Sequence, residues 1–426
     1  MNAIFMAIVA ISVAVAGFRQ VVAPADLAPG TGPMELLGRA MVDSATGAVT
    51  LSLGMVGMMT LFLGLMKVAE AGGLLAVIAK AVRPLMVRLF PDVPPDHPAM
   101  GAMIMNLSAN ALGLGNAATP FGIRAMQELD RLNPGKGTAT NAMVLFLAIN
   151  TSSVTLLPTG VIALRAAAGS ADPAGIVPST LFATFCSTAV AIAAALAYRR
   201  FFPGGESVAG LPDDAPDAET PLAAETGAYP LWVSVLALAA VASLIPLTIL
   251  WGRIIAPWIL PGLMLAFLAY GLARKVPVYE VLVEGAKDGF QVAIRIIPFL
   301  VAILTAVGMF RASGAMDLLI APLGRITAHF GLPAEALPMA LLRPLSGSGA
   351  YGIMASVLND PALGPDGYVG YLVSTIQGST ETTFYVIAVY FGAIQVKRMR
   401  HALWAALTAD AAGIAAAVAI CSILFG

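Results

Sequence analysis

Gln377-Gly378-Ser379-Thr380-Glu381-Thr382 is a polar, glycine-broken string inside an apolar stretch, 371–396, whose only charge is Glu381. Amide and hydroxyl side chains beside one carboxylate are the groups that hold a small polar solute or a coupling cation, and a lone carboxylate at membrane depth marks a functional site. The string has a sister one half-chain earlier, Ile149-Asn150-Thr151-Ser152-Ser153-Val154-Thr155, in an equally apolar setting. Two related halves, each with a polar break in a hydrophobic helix, predict a transporter-like site between repeats. In that alignment Glu381 stands opposite Val154, so one half alone brings a carboxylate.

Two further segments supply polar atoms. Residues 98–122 carry no charge, yet contain Asn106, Ser108, Asn110, Asn116 and Thr119, with glycines at 113 and 115 and Pro120. Broken backbone at membrane depth is tolerated only where protein or a cavity receives it. The segment therefore reads as a re-entrant hairpin with its tip at a solute, or as small residues packing helices closely. Its counterpart, Arg343-Pro-Leu-Ser-Gly-Ser-Gly349, presents Ser346, Ser348 and backbone N–H groups able to cradle an anion. It lacks the Gly-Lys-Ser/Thr ending of a nucleotide loop. Arg343 has two roles open to it, touching solute, or snorkelling and pairing with a carboxylate. Asp410 likewise reads either as the intramembrane partner of Arg295 or Arg343, or as a group just below the headgroups.

The expected solute ligands are thus Asn106, Ser108, Asn110, Asn116, Asn150, Ser152, Ser153, Ser346, Ser348, Gln377, Ser379, Thr380 and Glu381. A charged Glu381 in a dry interior must be hydrogen-bonded, cation-paired or protonated. It is the expected coupling or solute-orienting residue, with a structural pair to Arg343 or Arg295 as the plain alternative.

The elements that must position these residues are membrane helices. At 426 residues, 59% hydrophobic and 11% charged, with mean hydropathy +0.87, the chain departs from soluble globules, in which roughly a quarter of residues are charged. The fold class is an all-α polytopic membrane protein. Basic residues fall in short clusters and form no stripe, so no nucleic-acid partner is expected. Cys186 and Cys421 lie in apolar runs as core residues, and His97, His329 and His401 are scattered, so neither a disulfide framework nor a metal site is expected. The 20 methionines are spread over most helices as filler. No cofactor motif, H-E-x-x-H, G-x-S-x-G or Walker sequence is present, and no enzyme activity is expected. The apolar run 2–18 has no preceding Lys or Arg, so it reads as an uncleaved first helix despite Ala14-Val15-Ala16.

Residues 202–229 are acidic and rich in proline and glycine, a flexible linker. It divides the chain into halves, 1–201 and 230–426, and the halves repeat. Asp43–Val49 aligns with Glu284–Phe290, and the same offset sets Glu70-Ala-Gly-Gly73 on Arg311-Ala-Ser-Gly314. Each half is expected to hold an amphipathic leading helix and a spanning helix (47–69 and 290–310), then a basic surface helix (74–90 and 315–330). A broken segment (98–122 and 336–356), a polar-broken helix (139–165 and 369–395) and a closing helix (176–200 and 402–425) follow. The second half adds an out-and-back pair, 231–249 and 254–272. With that pair, the positive-inside rule places the basic clusters in the cytoplasm and makes the repeats inverted.

These motifs resemble a known family. Residues 1–201, through DHPAMGAMIMNLSANALGLGNAATPFGIRAMQELDRLNP and FLAINTSSVTLLPTGVIALRAAAGS, look like the spore maturation protein A family. Residues 275–425, through KVPVYEVLVEGAKDGF, RASGAMDLLIAPL, LRPLSGSGAYGIM and QGSTETTFYVIAVYFG, look like the spore maturation protein B family. Both belong to the nucleoside-recognition or Gate-domain group, distantly similar to the core of concentrative nucleoside transporters. The resemblance implies two Gate-type repeats with hairpins and broken helices around a polar solute, and in those transporters a Gln-Thr-Glu-like string binds it. Gln377, Thr380 and Glu381 resemble that string, with Gly378-Ser379 intervening.

The expected function is a transporter or permease for a small polar solute, nucleoside-like or a small anion. The alternative is a non-transporting membrane factor in envelope or spore maturation. Expected partners are the solute, the lipid bilayer and a coupling ion, proton or sodium, with a homo-oligomer left open. The expected location is the bacterial inner (plasma) membrane, crossed several times.

Overall fold

The computed structural model describes residues 2–22, 32–113, 115–202 and 229–426, and within these some side chains, those of Asn116 and Arg295 among them, lie outside the described set. The linker 202–229 falls almost entirely outside the described residues. Among the described residues the chain is helical, with a single isolated bridge between Thr138 and Arg398 in place of any strand. Among the described residues four helices are long and apolar enough to cross a membrane, Phe5–Val22, Pro33–Ala71, Val177–Phe201 and Ala402–Leu424. The chain is a membrane protein.

The first half runs α1 (Asn2–Val22), α2 (Pro33–Ala71), α3 (Leu74–Leu89), α4 (Pro98–Ala111), α5 (Gly115–Arg131), α6 (Asn141–Thr151), α7 (Thr159–Ala167) and α8 (Val177–Tyr198). The second half opens on α9 (Leu231–Ala273) and repeats the order from α2 onward. It continues through α10 (Val278–Ala312), α11 (Ala315–Thr327), α12 (Leu337–Leu342), α13 (Gly347–Leu358), α14 (Tyr368–Ser379), α15 (Thr383–Ala393) and α16 (Ala402–Leu424). The correspondence extends to backbone detail. Gly73 and Gly314, aligned by the unchanged offset, both turn the chain from the long helix into the next one at positive φ, 81° and 79°. Glycine adopts that conformation without steric cost.

Two expectations are corrected here. The leading and spanning helices are not separate: α2 has 39 residues and α10 has 35, each continuous. Nor is there an out-and-back pair, because α9 is one helix of 43 residues, about 64 Å at 1.5 Å per residue. The Trp251-Gly252-Arg253 step offers no turn dipeptide, and an isolated glycine is tolerated within a helix. The charge count that relied on two spans is therefore not supported by this geometry.

α2 and α10 pack antiparallel over most of their lengths. A Cβ at Gly285 would stand 2.5 Å from Lys67 Cβ, one at Gly289 would stand 2.6 Å from Thr60 Cα, and one at Gly64 would stand 2.7 Å from the Leu282 carbonyl oxygen. Small residues bring these backbones together as in other membrane helix pairs. Because the contact at Gly289 is backbone on both sides, Gly289→Leu is expected to force the pair apart and lower stability by roughly 2 kcal/mol, the scale of overpacking. Thermal unfolding in detergent measures this, and an unchanged midpoint would show that the pair is loosely packed.

The buried apolar residues form two main cores, and neither belongs to one half. The first gathers α3, α4, α5, α6 and the C-terminal end of α8 with Val386, Ile387, Tyr390 and Phe391 of α15 and the start of α16. The second gathers α2, α10, α13, α14 and the end of α16 with Val161–Leu164 of α7. α7 and α15, the second pieces of the two broken helices, have each crossed into the core built mainly from the other half. α8 and α16 lie antiparallel, with the Ser187 hydroxyl donating to the Ala409 carbonyl at 2.9 Å, and they connect the two cores. At 23 residues, α16 is about 34 Å long, which matches the hydrocarbon thickness, and its two ends lie in the two different cores.

Candidate functional site

Each broken helix is two short pieces. α6 and α7 have 11 and 9 residues, and α14 and α15 have 12 and 11. A piece of 11 residues is about 16 Å, half a bilayer, which sets both breaks near the midplane. The reason for the breaks is local. Thr151 and Ser152 turn their hydroxyls back onto the Ala148 carbonyl, and Pro158 has no N–H to continue the ladder. In the second string the Ser379 hydroxyl returns to the Ile376 carbonyl, and Thr380 is extended at φ −143°, ψ 167°.

The freed backbone is received by groups packed around each break, and at one point by the opposite half. The Glu381 N–H donates to the Thr151 carbonyl at 2.8 Å, joining one break to the other. The Leu156 N–H donates to the Ala111 carbonyl at 3.0 Å and the Phe384 N–H to the Pro344 carbonyl at 3.1 Å. The Thr188 hydroxyl donates to the Ser152 carbonyl, and the Arg343 guanidinium donates to the Thr380 carbonyl and, at 3.0 Å, to Thr382 Oγ1. This is the condition under which irregular backbone survives at membrane depth.

Between the breaks lies a cavity of about 750 Å³, within the range of small-molecule sites. Both hairpin tips reach it, through Gly113 after α4 and through Arg343 and Gly347 between α12 and α13. Its polar lining comes from Asn110, Thr155, Gln377, Thr380, Glu381 and Thr382, from Tyr351, and from Lys67, Glu70, Asp288 and Gln291 on the two long helices. Lys67 pairs with Glu70 at 3.2 Å, and Arg343 stands 3.8 Å from Glu381. Gln377 Oε1 and Arg343 Nε are buried with no partner in the chain. Such atoms are costly unless something bonds to them.

Of the thirteen expected ligands, Asn110, Gln377, Thr380 and Glu381 line the cavity. Asn106 and Asn150 stand just behind. Asn110 donates to Asn150 Oδ1 at 2.9 Å, and Tyr390 accepts from Asn106 at 3.1 Å and donates to Asn150 at 3.3 Å. The serines serve the helices. Ser108 bonds Ile104, Ser152 bonds Ala148, Ser379 bonds Ile376, and Ser346 caps α13 by accepting from the Gly349 N–H at 3.0 Å. Ser348 is 3.5 Å from Ser346, and Ser153 is buried outside the cavity lining. The side chain of Asn116 is outside the described residues.

Glu381 requires a correction. Its side chain is 56% exposed, turned into the open cavity rather than sealed in a dry interior. A residue preceding a helix at a break projects away from the packed face, and here that direction is the cavity. The sealed carboxylate is Asp410, 3% exposed, which accepts from Thr383 Oγ1 at 2.7 Å. It lies well inside α16, not beneath the headgroups. Sequence reasoning missed Lys67, Glu70, Asp288 and Gln291. Their signal was spacing, since polar residues three apart in a long helix share one face.

Residues 52–168 and 293–397 match the nucleoside recognition (Gate) family, and the chain belongs to that family of membrane proteins. Among curated relatives, spore maturation protein B of Bacillus subtilis (strain 168) is 44% identical over 167 residues, which is 39% of this chain and 93% of the relative. Spore maturation protein A of the same organism is 47% identical over 156 residues, 37% of this chain and 80% of the relative. The chain thus joins an A-like half and a B-like half in one polypeptide. No solved structure matches it.

Proposed function

We propose that this protein is a permease of the plasma membrane, crossing it several times, that moves a small uncharged polar solute of nucleoside-like character through the cavity between its two halves. The observation that carries this reading is convergence. Two helix breaks and two hairpin tips, drawn from both halves, meet at one cavity that has buried polar atoms without partners. A scaffold has no need of that arrangement at the midplane. The family description, nucleoside recognition, supports the solute class. The lining charges are Lys67 and Arg343 against Glu70, Asp288 and Glu381, an excess of one carboxylate that works against a small anion. The antiparallel courses of α2 against α10 and of α8 against α16 support an inverted repeat, the usual frame for alternating access. We assign no catalytic role to the cavity.

A second reading, a non-transporting factor, draws on the names of the two curated relatives. A nucleoside screen by thermal shift on the purified protein separates the two. A solute at 100 times its Kd stabilises the folded state by about 2.7 kcal/mol, and no saturable shift with any nucleoside would remove the permease reading. Glu381→Gln keeps shape and removes charge. It is expected to weaken solute binding about tenfold, about 1.4 kcal/mol, while leaving the melting temperature without solute unchanged because the side chain is exposed.

A further inference from the structure

Behind the cavity lining a buried polar cluster surrounds Asp410. Asp410 lies on the face of α16 against which Thr380 packs, since a Cβ at Gly413, one turn further on, would stand 2.8 Å from Thr380 Cγ2. One carboxylate oxygen, Oδ2, accepts from Thr383. The other, Oδ1, has no partner in the chain, and neither has Thr380 Oγ1. Asp410 and Thr380 are 3% and 4% exposed. The helices packed on this part of α16, namely α6, α8, α14 and α15, carry no acidic or basic side chain. On α16 itself the nearest titratable group is His401, at the helix start. The charged group whose field reaches Asp410 is Arg343, which is bound by the Thr380 carbonyl and Thr382 and stands 3.8 Å from Glu381.

We propose that Asp410 is a proton-binding site of this protein, linked to the cavity through Arg343. One proton added to Oδ1 converts the carboxylate to a carboxylic acid, which removes an uncompensated charge from the interior and supplies an O–H that Thr380 Oγ1 accepts. Both orphaned atoms are satisfied by the same proton. Arg343 lies between two carboxylates, Glu381 in the cavity and Asp410 in the core. A solute that occupies Glu381 frees the guanidinium to compensate Asp410, and the proton leaves. Sodium suits the pocket less well, because a guanidinium faces it and the nearby Thr380 carbonyl is already used. The role in coupling rests on the permease reading, whereas proton binding does not and can be measured without solute.

The test is the infrared difference spectrum of the purified protein between acidic and alkaline buffer. A protonated-carboxyl C=O band that shifts in D2O, is lost in Asp410→Asn and is kept in Glu381→Gln with its midpoint moved to lower pH, because Arg343 is then free to compensate Asp410, is the expected result. Asp410→Glu retains a carboxyl, so a displaced band there shows that the loss in Asp410→Asn is not misfolding. A band that survives Asp410→Asn, or no such band in the parent protein, overturns the proposal. So does a sodium-dependent thermal shift abolished by Asp410→Asn. If the band behaves as stated and no nucleoside shifts the melting temperature, the permease reading fails while the proton site stands.

Discussion

Residues 1–201 or 230–426 produced alone will fail to give a folded, monodisperse membrane protein, whereas the two pieces produced together will co-purify and bind whatever solute the intact chain binds. The reason is the exchange of α7 and α15. Without 230–426, the first core loses Val386, Ile387, Tyr390 and Phe391 and the start of α16. Tyr390 also takes with it the hydroxyl that Asn106 and Asn150 share, and the ring that stacks on Phe146 at 6.1 Å. Without 1–201, the second core loses Val161–Leu164 and the α2 face against α10. The bond from the Glu381 N–H to the Thr151 carbonyl, which joins the two breaks, would also be lost. The cut itself costs little, because it falls in an acidic, apolar-poor segment that cannot form a core. The curated relatives, two separate proteins matching two parts of this chain, support that arrangement. Size-exclusion chromatography in detergent reads the outcome. A lone half that elutes as a folded species, or co-produced halves that do not associate, would show the boundary to be misplaced.

Arg165→Ala will lower stability by about 3 kcal/mol, the upper range for hydrogen bonds to a charged group. Arg165 is fully buried on α7 and is engaged by two loops and by α14. It donates to the Pro365 carbonyl at 2.7 Å, to the Asp172 carbonyl at 3.2 Å and to Ser170 Oγ at 3.1 Å, and it pairs with Asp366 at 3.1 Å. Its guanidinium lies 4.2 Å from the centre of the Tyr371 ring, which stacks on Phe425 at 3.8 Å. The residue fastens the crossed-over α7 to the loop that leads into α14. Asp366→Ala should cost a similar amount, because it leaves a buried cation without its counter-charge, even though Asp366 is itself 37% exposed. The double variant should then lose clearly less than the sum of the two. Additive losses in thermal unfolding would mean that the two side chains act independently.

The corresponding fastening of α15 is made by backbone and Arg400. The Ala139 N–H donates to the Arg398 carbonyl at 3.0 Å, and Arg400 donates to Asn141 Oδ1 at 2.8 Å and to the Ala139 carbonyl at 3.2 Å. Each crossed-over piece is therefore held at its outer end by the other half's loop.

Much of this was legible because membrane helices leave long one-dimensional signals. Hydropathy marked the spans, an unchanged offset marked Gly73 and Gly314 as equivalent turns, and polar strings marked the two breaks, since nothing but a break or a site explains Asn, Ser and Thr together at that depth. The strings also yielded four residues of the cavity, Asn110, Gln377, Thr380 and Glu381. What composition could not convey is direction. A serine that bonds its own preceding turn, as Ser108, Ser152 and Ser379 do, and a serine that faces solute are identical in sequence. Only the course of the backbone separates them. The same holds for the two carboxylates, because Glu381 and Asp410 both lie in apolar runs, and it is the packing of Thr380 and Thr383 on α16 that buries one while the break opens the other to the cavity.

The amino-acid order alone thus determined an all-helical membrane protein of two like halves with polar breaks, because those properties follow from local hydropathy and from residues that cannot continue a helix. Tertiary structure decided that α9 does not turn back, that α7 and α15 change cores, and that Lys67, Glu70, Asp288 and Gln291 reach the cavity. These depend on which surfaces meet across more than a hundred residues of chain, and no local preference encodes that meeting.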